Sequence, residues 1–252
     1  MISIVSYNIR YPAKEDGEKR LPFRLNNIIG TIRERRPDLI GFQELLEDES
    51  CMRLEQELSE YVSFGYGRGA QNDGETNKIF VRKDAFAVQA YDQFWLSSTP
   101  RVPGSRYAQQ SICPRVCVWV KLLHKESGKR FYHFNTHLDH ESPKARTLGL
   151  SGIFDAIREI QKDEDLPAFL TGDFNFSPAE STYALIAENG FIDLTKDIGG
   201  TYHDYLRRRD PKQIDYVLCD TPVTAAMKKW TQGVCEGVFL SDHYPVEADV
   251  EI

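Results

Sequence analysis

Several short polar runs in this chain each follow an apolar stretch. They are Asn8, Gln43-Glu44, Thr136-His137-Leu-Asp139-His140, Gly172-Asp173-Phe-Asn175 and Ser241-Asp242-His243. Their carboxylates and amides are hard oxygen donors, which suit Mg²⁺ or Mn²⁺ rather than zinc. Residues two apart on an extended segment share a face, so His137 can point with Asp139, and Asp173 with Asn175. Hydrolysis of a phosphate ester needs an activated water, stabilised phosphoryl oxygens and a neutralised leaving oxygen. A metal clamp, a histidine and amide donors supply all three. Taken singly, each residue has a plainer reading: Asn8 a turn residue, Glu44 a surface acid, Asp173 and Asn175 an Asx-turn, Asp215 a solvated strand acid, and Asp242-His243 a cap before Pro245.

The elements that would carry these residues alternate between strands and helices. Ile2 to Tyr7 reads as a strand, and Leu25, Ile28, Ile29 and Ile32 give a helix with one apolar face. Pro37 stops that helix by pushing Arg36 out of the helical region. Leu39 to Phe42 is a short buried strand, and a helix is expected from about Ser50 to Glu60. The aromatic and β-branched stretch Tyr61 to Leu123 predicts antiparallel strands, followed by a strand from Phe131 to Thr136. Ser142-Pro143 resembles a helix start, and the helix after it runs on Leu150, Ile153, Phe154, Ile157 and Ile160. Pro167 to Leu170, Gln213 to Leu218, Val223 to Trp230 and Val246 to Ile252 complete the strands, with a helix over Ala179 to Glu188. In layered α/β folds, ligands bind outside strand ends, where loops converge.

Composition narrows the class. With 252 residues, 41% of them hydrophobic, and no linker or repeat, one compact domain over residues 1–252 is expected. The net charge of −7 argues against gripping duplex nucleic acid through a basic surface. It leaves room for an enzyme that touches one or two phosphates through a metal ion. No apolar run is long enough to span a membrane, and the N-terminus has no signal-peptide pattern. The five cysteines form no metal-spaced or CxxC pair and read as free thiols in a reducing cytoplasm.

In order and spacing, Ser6-Tyr-Asn8-Ile-Arg10, Gln43-Glu44, Asn135-Thr-His137-Leu-Asp139, Thr171-Gly-Asp-Phe-Asn175, Ile214-Asp-Tyr-Val217 and Ser241-Asp-His-Tyr-Pro245 resemble the endonuclease/exonuclease/phosphatase superfamily of metal-dependent phosphodiesterases. The resemblance covers the whole chain. Phe94-Trp-Leu-Ser97 and Cys113-Pro-Arg115 are similar to a bacterial branch related to the carbon catabolite repressor 4-type deadenylases. The resemblance implies an α/β (α+β) fold: a four-layer sandwich of two packed mixed sheets flanked by helices, with the site at one rim.

The resemblance also implies roles. Glu44 would ligate Mg²⁺ or Mn²⁺, with Asn8 and Asp242 completing the site. Asp173 and Asn175 would orient the attacking water and a phosphate oxygen, and His243 would act as general base or stabilise the transition state. Asp215 would orient His243, and His137 would bond the phosphate or assist the leaving group. Arg115, Asp139, Tyr107 and Tyr202 are the candidate substrate contacts; Arg146 and Arg207 to Arg209 read as solvated surface. Gln213 stands where the family often has a basic residue. The first expectation for substrate is a single-stranded RNA or DNA. The alternatives are a small phosphoester (sugar phosphate, inositol phosphate or lipid head group) and a binding module that lost catalysis. No membrane contact or obligate protein partner is expected.

Overall fold

The apolar face at Leu25, Ile28, Ile29 and Ile32 is one side of helix Leu21–Arg35, and all four side chains are buried. Each such burial contributes roughly 1.5–3 kcal/mol. The helix ends where Arg36 adopts a left-handed conformation (φ 47°, ψ 52°) ahead of Pro37. A computed structural model describes residues 1–252. It has two six-stranded mixed sheets and one two-stranded ribbon.

The first sheet runs Ala225–Lys229, Val246–Val250, Ile2–Asn8, Leu39–Gln43, Ile79–Arg82, Tyr61–Phe64. The second runs Ile192–Asp193, Asp215–Cys219, Ala168–Asp173, Arg130–His137, Val116–His124, Phe86–Trp95. Each has one parallel pair at its heart, Ile2–Asn8 with Leu39–Gln43 and Ala168–Asp173 with Arg130–His137; the other pairings are antiparallel. Helix Leu21–Arg35 covers the first sheet through Val5, Tyr7, Ile40 and Phe42. Helix Pro143–Gln161 covers the second through Phe134, Leu170 and Tyr216. Residues of both sheets, among them Ile4, Leu39, Val118, Phe169 and Val217, meet in a third apolar cluster between them. The result is the expected four-layer sandwich.

Alternation along the strands decides what fills the space between the sheets. The face that carries Ile2 and Ile4 continues into Ser6 and Asn8, and the face of Phe131 continues into His133, Asn135 and His137. Phe169 is followed on its face by Thr171 and Asp173. The inter-sheet layer is therefore apolar at one end and polar at the other. The polar part is knotted by hydrogen bonds. Gln43 Nε2 donates to Asn135 Oδ1 (2.8 Å), Thr171 Oγ1 donates to the same oxygen (3.0 Å), and Asn135 Nδ2 donates to Phe42 O (2.7 Å). Gly41 lets the sheets come this close: a Cβ there would lie 2.3 Å from Thr171 Oγ1.

Two segments differ from the sequence reading. Ala179 to Glu188 is not one helix but a 3₁₀ turn, Ser181–Tyr183, leading into helix Ala184–Glu188. The strand expected from Gln213 begins at Asp215, because the Gln213 side chain turns away to donate to Thr195 O (3.1 Å). The glycines that weaken helix Pro143–Gln161 have a packing reason: a Cβ at Gly149 would lie 3.2 Å from Leu96 Cδ1 and 3.3 Å from Leu138 Cδ2. No helix is long and apolar enough to cross a membrane.

Arg24 ties the exit of strand Ile2–Asn8 to the segment before Asp242. It is 1% exposed and donates to the carbonyls of Ile9, Arg10, Lys19 and Leu240. Replacing it by methionine leaves buried carbonyls without donors. Arg24→Met is expected to destabilise the fold by about 3 kcal/mol or more, read as a lowered denaturant midpoint at unchanged slope.

Candidate active site

Sheet register brings the polar strand ends together. Asp173 lies opposite His137 on one side and opposite Asp215 on the other. Asn8 lies opposite Gln43, which places Glu44 just past the end of the neighbouring strand. Asn8 Nδ2 spans the gap between the sheets, donating to Glu44 Oε1 and to Asp173 Oδ2, each at 2.9 Å. The same Asp173 oxygen faces His137 Nε2 at 3.5 Å and His243 Nε2 at 3.8 Å. His243 Nδ1 bonds Asp215 Oδ2 at 2.9 Å. A carboxylate can only accept there, so Nδ1 carries the proton and Nε2 faces the cleft.

Backbone amides hold the remaining oxygens. Glu44 Oε2 accepts from Tyr11 N (3.0 Å), Asn8 Oδ1 from Arg10 N (2.9 Å) and Asp173 Oδ1 from Asn175 N (2.9 Å). Arg10, Glu44 and Asn175 all have positive φ, at 59°, 62° and 52°. Such conformations cost about 1–3 kcal/mol each in non-glycine residues and concentrate at functional sites. Asp173 and Asn175 do form the Asx-type turn of the plainer reading. That turn also aims Asn175 into the cleft, with its Nδ2 on Leu138 O (3.1 Å).

The electrostatics are those of crowded acids. Burial, then the neighbouring Asp215, pushes the Asp173 carboxyl up to about 7, against the pull of His243 and Asn8. Burial also raises Asp242, with Glu44 adding to it and His243 opposing. Burial works against a charged His243 ring, but Asp215 and then Asp173 overcome it and hold that ring well above its ordinary value. His137 moves the other way: burial, then Arg115 and Arg68, keep it well below its ordinary value and neutral.

The cleft has a volume of about 460 Å³ and is lined by Glu44, His137, Asp173, Asn175, Asp242 and His243, together with Arg115 and Tyr202. Tyr202 stacks on His243 (centroids 4.7 Å apart), and the Arg208 guanidinium lies 4.2 Å from the centroid of the Tyr202 ring. Two candidate contacts fall elsewhere. Tyr107 packs against helix Pro143–Gln161, its hydroxyl 3.4 Å from Leu148 O, away from the cleft. Asp139 is not on the cleft wall, because the strand ends at His137 and the two-residue alternation stops there. Its carboxylate instead accepts from Ser111 N, Glu141 N and Ser142 N, bracing two loops. Arg146, expected at the surface, is 6% exposed and donates to Asp139 O.

Arg10, Tyr11, Arg68, Glu75 and Arg208 also line the cleft, and none was assigned from the sequence. Arg10 belongs to the run Ser6-Tyr-Asn8-Ile-Arg10, and Arg208 to a charged run whose composition reads as solvated surface. Arg68 had a signal of its own: it sits in Gly65-Tyr-Gly-Arg-Gly69, where a Cβ on Gly67 would lie 2.3 Å from Asp73 O. Glycines alternating around one arginine mark a tight loop that presents it. The four cleft arginines match its four carboxylates, Glu44, Glu75, Asp173 and Asp242, in formal charge.

The donor set fits a hard divalent cation. Glu44, His137 and Asp173 each offer a ligand atom within 4.8 Å of the others, as do Asp173, Asp215 and His243. Asp215 Oδ2 and His243 Nδ1 are already bonded to each other. The raised Asp173 and Asp242 are carboxylates held together against their own repulsion, which a cation would relieve.

With this geometry in place, the comparisons identify the class. The sequence matches the Endonuclease/Exonuclease/phosphatase family over residues 5–243, and the chain belongs to that family. It is a phosphoric ester hydrolase by fold and site. Among solved structures it is similar to a mannosyl-6-phosphatase of Bacteroides thetaiotaomicron, with 26% identity, a TM-score of 0.90 and 100% of both chains covered. It is also similar to an endonuclease/exonuclease/phosphatase of Bacteroides vulgatus, with 30% identity, a TM-score of 0.91, and coverage of 100% of this chain and 98% of that one. D. rerio TDP2 complexed with single-strand DNA product shares the fold at 18% identity and a TM-score of 0.75, with 100% of this chain and 99% of that one covered. No curated protein sequence matches.

An acid raised on folding makes stability fall as pH rises. The metal-free folded state keeps a proton on Asp173 up to about pH 7, while the unfolded chain loses it near about pH 4, so the loss accumulates between these values. Asp173→Asn removes that loss. Without metal, the variant is expected to exceed the parent in stability by about 2 kcal/mol near pH 8, with the difference shrinking near pH 5. Melting temperatures at both pH values check it; an equal difference at the two would contradict the assignment.

Proposed function

We propose that this protein is a divalent-metal-dependent phosphatase of small phosphorylated compounds, sugar phosphates foremost. The observation that carries the chemistry is the Asp173 carboxylate. It is bridged by Asn8 to Glu44 and faced by His137 and by the Asp215-held His243 around one buried point. Glu44 would hold Mg²⁺ or Mn²⁺, with Asp242 and Asn8 beside it. When bound, the cation stabilises charge on the phosphoryl oxygens.

The chain's own residues supply the rest. Asp173 takes the proton of the attacking water. Asn175 orients that water or a phosphoryl oxygen. His243, held charged against Asp215, donates from Nε2 to the oxygens that gain charge in the transition state. Neutral His137 donates a hydrogen bond to the phosphate. Because residues from Asn8 to His243 share one site, the whole chain acts as a single catalytic domain.

Two observations favour a small substrate over a nucleic acid. The likeness to the mannosyl-6-phosphatase spans both chains at 26% identity, whereas the TDP2 likeness at 18% supports the fold alone. The cleft has a volume of about 460 Å³, of the size of a small phosphorylated compound, and Arg10, Arg68, Arg115 and Arg208 all line it. The five unpaired cysteines suit a cytoplasmic setting.

Asp173→Ala and His243→Ala are each expected to lower hydrolysis by about a thousandfold while the fold persists by circular dichroism. Exhaustive chelation should abolish activity, and Mg²⁺ or Mn²⁺ should restore it. A panel of phosphorylated sugars beside labelled single-stranded oligonucleotides separates the two substrate readings. Cleavage of oligonucleotides with no release of phosphate from any sugar would reverse the order proposed here.

A further inference from the structure

Arg115 does not belong to the hydrogen-bonded group around Asp173, yet it is built into the same cleft. It is 3% exposed. A guanidinium has five N–H donors and no acceptor. Nη2 donates to His140 Nδ1 at 2.8 Å. Nε and Nη1 are buried with no hydrogen-bond partner. Asp139 Oδ2 lies 3.8 Å from Nε, too far for a hydrogen bond, and is engaged by Ser111. Buried donors without acceptors are costly and call for an explanation. Arg68 lines the same cleft, with Nη2 on Glu75 Oε1 at 2.7 Å, and its carbonyl is pinned by Trp95 Nε1 at 2.7 Å.

We propose that Arg115, with Arg68 beside it, forms an anion slot that reads the charge of the phosphate and selects a terminal phosphomonoester dianion over a phosphodiester monoanion. This rests on the phosphoesterase reading of the cleft and narrows its substrate class. The arginines and carboxylates of the cleft cancel in formal charge, as do His243 and its partner Asp215. A bound divalent cation then leaves the cleft positive by its own charge, which a monoester dianion neutralises and a diester does not. A terminal phosphate also has three free oxygens to share between the cation and the unpartnered N–H groups of Arg115, whereas a diester has two.

Calorimetric titration of the full chain in Mg²⁺ tests this without turnover, using inorganic phosphate as the dianion and dimethyl phosphate as the monoanion near about pH 8. The parent is expected to bind phosphate more tightly by about tenfold or more. Arg115→Gln should erase most of that preference, and Arg115→Lys should keep part of it by retaining the charge. Arg68→Gln, at a partly exposed side chain, should reduce it and serves if Arg115→Gln does not fold. A parent without preference, or glutamine variants that keep the parent's preference, would overturn the slot. Failure of the hydrolase reading looks different: the binding preference persists, but no phosphoester of any kind is turned over.

Discussion

The structure depends on a narrow meeting of two sheets. Their shared interior begins as packed aliphatic and aromatic side chains and ends as amides, hydroxyls and acids. The knot around Asn135 sets the spacing at the change-over, and Gly41 permits it. One layer further out, Asn8 reaches across and joins Glu44 to Asp173. Without the knot, carboxylates from separate sheets would drift apart to relieve their repulsion. With it, the alignment of strand ends becomes the alignment of chemical groups. His137, Asp173 and Asp215 are neighbours because they are register partners, not because loops happen to fold that way.

This arrangement has a thermodynamic cost. Buried acids at close range, left-handed residues at three strand exits and a buried arginine with unused donors are all unfavourable in isolation. Apolar contact elsewhere offsets them, through helices laid on both outer faces. The molecule is thus stable away from the cleft and strained within it, and a cation and a phosphate are the groups that would relieve the strain.

Much of this was legible in the sequence, for physical reasons. The helical spacing from Leu25 to Ile32 is a direct image of which face is buried, and the apolar run Ile2 to Tyr7 is that of a strand covered on both faces. The residues at strand ends could be read because a polar residue that abruptly follows an apolar strand has few other places to go. What escaped lies beyond regular structure. Alternation pairs Asp139 with His137, but the strand ends two residues earlier, and Asp139 became a loop brace. Arg68 and Arg208 come from irregular segments, where no period tells inside from outside. Tyr107 was an aromatic residue that packing claimed first.

The pairing of strand Ile2–Asn8 has a consequence in time. One of its edges is met early by Leu39–Gln43, while the other waits for Val246–Val250, far along the chain. Until then a ribosome-bound chain carries an open apolar edge, a hazard that invites mispairing and chaperone attention. The Asn8–Asp173 contact closes across 165 positions, so the search that completes it is slow compared with hairpin formation. Catalytic competence therefore waits for Val246–Val250, and a chain interrupted before that strand would be a folding intermediate instead of a weak enzyme.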